Sequence, residues 1–217
     1  MENQMSSSLI ALLLVPVGLI TGQELKPIAL PAPQTSGGKP LMQALKERKS
    51  VRDFGPQLLS RQVLSNLLWA AWGINRADGR RTAPSASNRQ EIDVYVIMAD
   101  GAYVYDAQAN ALKPVTQNDI RKLAGTQVYA AEAPVNLVYV ADTAKLGGDD
   151  APRLAIANAD TGFISQNAYL FCASEGLATV VRASVNRAEL GKALNLRADQ
   201  RIILAQSVGY AKQPAGN

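Results

Sequence analysis

Three polar stretches carry the side chains from which this sequence could build a reaction site. The first is Glu47-Arg48-Lys49-Ser50-Val51-Arg52-Asp53-Phe54, where Arg48, Lys49, Ser50 and Arg52 fall within five residues at the end of a helical pattern. Phosphate needs charge-assisted donors, and an arginine fork matches its oxygens. Basic residues at a helix C-terminus also complement the helix dipole, so the stretch admits that reading too. The second is the turn-rich Arg81-Thr-Ala-Pro84-Ser85-Ala86-Ser-Asn88-Arg-Gln90, whose small hydroxyls and amides suit close approach to the edge of a flat ring, or a plain surface loop. The third is Gly176-Leu-Ala-Thr-Val-Val-Arg182-Ala183-Ser184, where backbone N–H groups at a strand end could serve a ring nitrogen, or where a helix simply turns into a strand.

What the sequence lacks narrows the chemistry. There is no histidine, so neither a Ser-His-Asp triad nor an imidazole metal site can be assembled. The single cysteine, Cys172, sits in an apolar stretch and reads as a buried structural thiol. No disulfide within the chain and no thiolate zinc site follows from one cysteine. The formal charge of +4 is modest and its cations are scattered, which excludes a nucleic-acid-binding stripe. Neither GxGxxG after a strand nor GxxxxGK[ST] is present. Carboxylates, hydroxyls, amines or a bound cofactor must supply the reactivity, and no side-chain acid or base is indicated.

The elements that must position these stretches can be read from periodicity. Pro40 opens a helix from Leu41 to about Lys49. Ser60 caps a second helix, with Val63, Leu64, Leu67, Leu68 and Ala71 at helical spacing, Trp69 and Trp72 packing, and Gly73 ending it. Ile92–Met98 is a strand, and Asp100-Gly101 turns it back into Ala102–Asp106. A short helix is expected over Asn118–Leu123, a buried strand over Pro134–Ala141 and a long helix from Pro152 to about Ser174. Leu177–Val181 is a strand, Asn186 with Glu189 marks a capping box, and Arg201–Gly209 holds the last strand. The order implies a single α+β domain over residues 41–217 with a central mixed or antiparallel sheet flanked by helices.

Two segments precede that domain. Leu9–Ile20 is an unbroken apolar run, so residues 1–23 are expected to be a signal peptide or an N-terminal anchor. The protein is then exported, to the periplasm if the source is bacterial, and membrane-bound only if the segment stays uncleaved. Residues 24–40, rich in Pro, Gly, Ser and Thr, read as a linker or extended arm.

Taken in order, the three polar stretches resemble the nitroreductase family. Arg48-Lys-Ser-Val-Arg52 matches its Arg-x-Ser-x-Arg opening, and Pro84-Ser-Ala-Ser-Asn-Arg-Gln90 its Pro-Ser-small-x-Asn-x-Gln loop. Leu67–Ile74, Glu132-Ala-Pro-Val135, Ser165–Leu170 and the Gly-Leu-Ala-Thr segment complete the likeness over about residues 41–212. The resemblance implies a nitroreductase-like fold and an intertwined homodimer whose two FMN sites are each built from both subunits. It implies that Arg48, Lys49 and Ser50 hold the phosphate and ribityl chain and that Arg52 lies beside N1 and O2 of the ring. Pro84, Ser85, Ala86 and Asn88 would come from the other subunit, and Gln127 would face the pyrimidine edge. Ala183 and Ser184 would offer backbone donors near N5, with Lys212 a further phosphate ligand. The implied reaction is ping-pong hydride transfer from NAD(P)H through the flavin to a small electron-poor acceptor such as a nitroaromatic or quinone. Ala102–Ala107 and Leu112–Val115 also resemble the azoline-oxidising dehydrogenases of peptide maturation, which makes substrate oxidation an alternative. A flavin-binding protein without turnover is another. One departure from the family pattern is that Gln90 is followed by Glu91-Ile92, where relatives often carry Pro-Trp.

Overall fold

Val135–Asp142 has no exposed residue, and a strand buried on both faces must lie inside a sheet with both sides covered. It is the centre of the fold. The computed structural model describes residues 25–213, and the expected leader, residues 1–23, lies outside them. In chain order the strands are β1 (Ile28–Ala29), β2 (Ile92–Met98), β3 (Gly101–Asp106), β4 (Ala111–Thr116), β5 (Val135–Asp142), β6 (Ala178–Arg182) and β7 (Gln200–Gly209). The helices are α1 (Leu41–Glu47), α2 (Arg61–Trp72), α3 (Val128–Glu132), α4 (Asp150–Glu175) and α5 (Arg187–Ala193). The strands form one seven-stranded sheet in the order β1-β4-β3-β2-β5-β7-β6. Every pairing in it is antiparallel.

The two-residue period of β2 divides the core. Val94 and Val96 face the layer of α2 and α4, where they meet Leu64, Leu67, Leu68, Ile164 and Ala168. Tyr95 and Ile97 face the opposite layer with Val138, Val140, Leu190 and Leu194. Leu67 and Leu68 are wholly buried, and each such side chain contributes about 1.5–3 kcal/mol of burial free energy.

Local signals fix the ends of the helices. The Ser60 side chain accepts from Val63 N, as the sequence suggests, a cap that contributes about 1 kcal/mol. Gly176 closes α4 in the left-handed region at φ 71°, where a side chain would be strained. Asn186 caps α5 through Glu189 N. The segment Asn118–Leu123 forms only a 3-10 turn at Arg121–Leu123, because Asp119 caps Arg121 N and no apolar periodicity carries the helix further.

The arm before α1 is stitched down along its length. β1 pairs with β4, Gln34 N donates to Asn66 Oδ1 at 2.8 Å, and Lys39 N donates to Ser174 Oγ at 2.8 Å. Entry into α1 at Pro40 is therefore anchored to the C-terminal end of α4.

Candidate functional site

Helix α1 stops at Glu47, two residues short of the periodicity-based reading, because Arg48 turns out of the helix at ψ 120°. The following residues are drawn out between β6 and the chain leaving β7. Val51 N donates to Thr179 O at 2.9 Å on one side. On the other, Gly55 N donates to Tyr210 O at 2.9 Å and Lys212 N to Asp53 O at 3.1 Å, and Phe54 pairs with Ala211. Val51 and Phe54 pack inward with Tyr129, Ala133, Ala178 and Val180, while Arg52 stays exposed. The Arg48 guanidinium lies 5.2 Å from the centre of the Tyr169 ring.

Arg48, Lys49, Ser50, Arg52 and Lys212 are thus gathered at one end of the domain by main-chain bonds and one apolar cluster. None of these four cations is ion-paired to a carboxylate among the described residues. The Ser50 and Tyr169 hydroxyls are hydrogen-bonded at 2.8 Å. A cleft of about 580 Å³ opens here, lined by Lys46 and Glu47 of α1, Lys49 and Val51 of the loop that follows, Tyr169 of α4, Thr179 of β6 and Ala211. Its size falls in the range of small-molecule sites.

The end of β6 forms the neighbouring wall. Ala183 and Ser184 are exposed, and Thr126 N donates to Ser184 O at 3.2 Å, which brings Gln127 beside them. The Gln127 Oε1 atom is buried without a partner. Tyr129, two residues on, packs against Phe54 with ring centres 6.3 Å apart, so this turn and the basic loop share one apolar support. Behind it lies Arg182, only 7% exposed. Its guanidinium donates to Ser207 Oγ at 2.8 Å, Ala124 O at 2.8 Å and Asn136 Oδ1 at 2.7 Å. Burial pushes its pKa down to about 10, so it stays charged at neutral pH. A Cβ on Gly125 would collide with this side chain and with Ala130, which fixes glycine at the turn.

Pro84, Ser85, Ala86 and Asn88 lie elsewhere. Their loop contains three non-glycine residues at positive φ, Ser87, Asn88 and Gln90. It is held by Ala86 N donating to Asp160 Oδ2 at 2.9 Å and Gln90 N donating to Ser85 Oγ at 3.0 Å. Asp160 precedes Tyr169 by nine residues on α4, about 14 Å along the helix axis. Within the chain the loop is therefore not part of the basic cluster. Beneath it the Glu91 carboxyl is wholly buried, with neither oxygen hydrogen-bonded. Desolvation first, then the neighbouring Asp160 carboxyl, pushes Glu91 up to about 7.

Three features of the site lay outside the residues selected from sequence. Tyr169 sits inside a stretch matched to the family, but nothing local marks its hydroxyl as a strut. Arg182 shows itself only as a cation breaking an apolar strand, and the Glu91–Asp160 approach joins positions far apart in the chain.

Comparison with known proteins places the chain. The sequence model of the nitroreductase family matches residues 45–210. A Methanocaldococcus jannaschii protein named after the nitroreductases is 29% identical over 153 residues, 64% of this chain and 76% of that one. A Ralstonia eutropha crystal structure, also named after the nitroreductases, is 40% identical with a TM-score of 0.84, covering 89% of this chain and 93% of that chain. The NADPH:FMN oxidoreductase of Vibrio harveyi, complexed with NAD+, shares the fold at a TM-score of 0.60 and 19% identity, over 80% of this chain and 69% of its own.

Proposed function

The chain belongs to the nitroreductase family, and from that premise we propose that it is an FMN-dependent oxidoreductase acting as a homodimer. The observation that carries the reading is the cluster of Arg48, Lys49, Arg52 and Lys212 beside Ser50, none of them ion-paired to a described carboxylate. Such a set of cations around a hydroxyl suits a phosphate monoester, and the neighbouring wall suits a ring. Ala183 and Ser184 are exposed at the end of β6, where their backbone can meet the edge of a flat heterocycle, and Gln127 stands beside them on the same wall.

When bound, FMN would supply two-electron chemistry, taking hydride from NAD(P)H and passing it to a nitroaromatic, quinone or similar electrophile in ping-pong order. This chain's residues do the holding. Arg48, Lys49, Ser50 and Lys212 bind the phosphate end. Arg52 places a cation where negative charge develops on reduction. Ala183 and Ser184 orient the reacting edge.

The homodimer reading is supported by two features. Leu41, Met42 and Leu45 of α1 and Leu154 and Phe163 of α4 are exposed apolar residues on helices flanking the sheet. The Pro84–Gln90 loop, about 14 Å from its own basic cluster along α4, is free to serve the site of a second copy. Residues 1–23 support export to a bacterial periplasm, which fractionation of cells expressing the full chain tests directly.

The deciding experiment is the visible spectrum of the purified protein after loading with FMN and dialysis, followed by anaerobic addition of NADH or NADPH. Stoichiometric retained flavin that bleaches supports the proposal. A protein that retains no FMN sinks it.

A further inference from the structure

We infer that Arg182 is a built-in counter-charge for the reduced flavin, an electrostatic residue that raises the reduction potential of the FMN held at the β6 end. The inference rests on the FMN reading above.

A buried cation is costly unless paired, and the usual remedy is a carboxylate. Arg182 has none. Its hydrogen-bond partners, Ser207 Oγ, Ala124 O and Asn136 Oδ1, are all neutral. The remaining neighbour is the Tyr129 ring, whose centre lies 5.8 Å from the guanidinium carbon. Its Nε carries no partner at all. Every contact therefore solvates the charge without cancelling it.

The position gives that charge a use. Arg182 directly precedes Ala183 and Ser184, and its guanidinium is bonded to the Ala124 carbonyl of the turn that leads to Gln127. Both groups proposed to meet the ring edge thus stand on main chain tied to this cation. Two-electron reduction of FMN with uptake of one proton adds one negative charge to the ring at neutral pH. A fixed cation in a dry setting favours the reduced form over the oxidised form, and the structure holds it in place beforehand. Arg52 is exposed to water and screened, whereas Arg182 is not. Touching no reacting atom, Arg182 acts only through its field.

The test compares FMN-loaded wild type with Arg182→Gln, Arg182→Lys and Ser207→Asp, each titrated anaerobically with dithionite beside a dye of known potential. Arg182→Gln removes the charge and keeps an amide donor. Ser207→Asp leaves the arginine and neutralises it through the existing hydrogen bond, so the test survives if Arg182→Gln does not fold. Both neutralised forms are expected to lose about tenfold of the preference for reduced over oxidised FMN. For a two-electron couple that is a fall of about 30 mV in midpoint potential. Arg182→Lys is expected to stay near wild type. Unchanged potentials in both neutralised forms, or an equal fall in Arg182→Lys, would make Arg182 a structural strut and overturn the inference alone. A wild type that retains no FMN overturns the FMN reading as well.

Discussion

The Tyr169 hydroxyl joins the basic loop to the sheet, meeting Ser50 Oγ at 2.8 Å while accepting from Val181 N at 2.9 Å. One oxygen on α4 thereby fixes both the loop proposed for phosphate and the strand that leads to Ala183. The Tyr169→Phe substitution keeps the ring under Arg48 and removes both bonds. Leaving Val181 N unsatisfied costs about 1–3 kcal/mol of stability. The expected outcome is a lower unfolding midpoint and severalfold weaker FMN binding by fluorescence titration. Unchanged affinity would show that Ser50 needs no strut.

The cation cluster makes a sharper distinction, because riboflavin has the ring of FMN without its phosphate. Arg48→Ala and Lys212→Ala each remove one charge-assisted contact, worth about 1.5–3 kcal/mol, so FMN affinity should fall roughly tenfold or more. Riboflavin affinity should hardly change. Equal losses for both ligands would place these residues against the ring instead.

Cys172 reads as inert from its apolar context, and the structure gives the cause. It is wholly buried on the core face of α4, and desolvation pushes its thiol up to about 12. The thiolate is the reactive form, so a disulfide reagent should leave the native protein unmodified at pH 8 and titrate one thiol after denaturation. Rapid native labelling would show that the cleft beside Tyr169 opens to the helix core.

How much of this was legible in the sequence depends on how local the cause is. Ser60, Gly73, Gly176 and Asn186 act within a few residues of themselves, and the helix ends they mark appear where they imply. Strand β4, Ala111–Thr116, is hidden by Pro114, which argues against a strand except near a sheet edge. Here it lies next to the outermost two-residue strand, so the edge is nearly bare. Helix α3 is five residues long with Val128 exposed, too short to show a period. The basic loop was visible as a charge cluster, yet Lys212 joins it only because β7 runs back beside it. Arg182 and Glu91 depend on what the fold stacks around them, and no spacing encodes that.

The burial of Glu91 ties stability to pH. The groups around it are the Asp160 carboxyl, which also accepts from Ala86 N, and Lys145, which partly offsets the effect. Its folded pKa of about 7 lies above the ordinary glutamate value of 4.5, so between those limits the folded state binds more protons than the unfolded chain. Stability is then full below about pH 4.5, falls as pH rises through 7, and levels off above. The fall expected from this group is on the order of 3 kcal/mol. Glu91→Gln keeps the shape and removes the charge, so it should abolish that slope and stabilise the protein at pH 8 while changing little at pH 5. Because Asp160 holds the Pro84–Gln90 loop, the same variant should also tighten FMN binding at pH 8 if that loop completes the partner's site. Urea unfolding and FMN titration at both pH values, at one protein concentration, read the two effects. A wild-type stability that does not decline between pH 5 and 8 beyond that of Glu91→Gln would mean that Glu91 ionises in the folded protein as readily as in the unfolded chain.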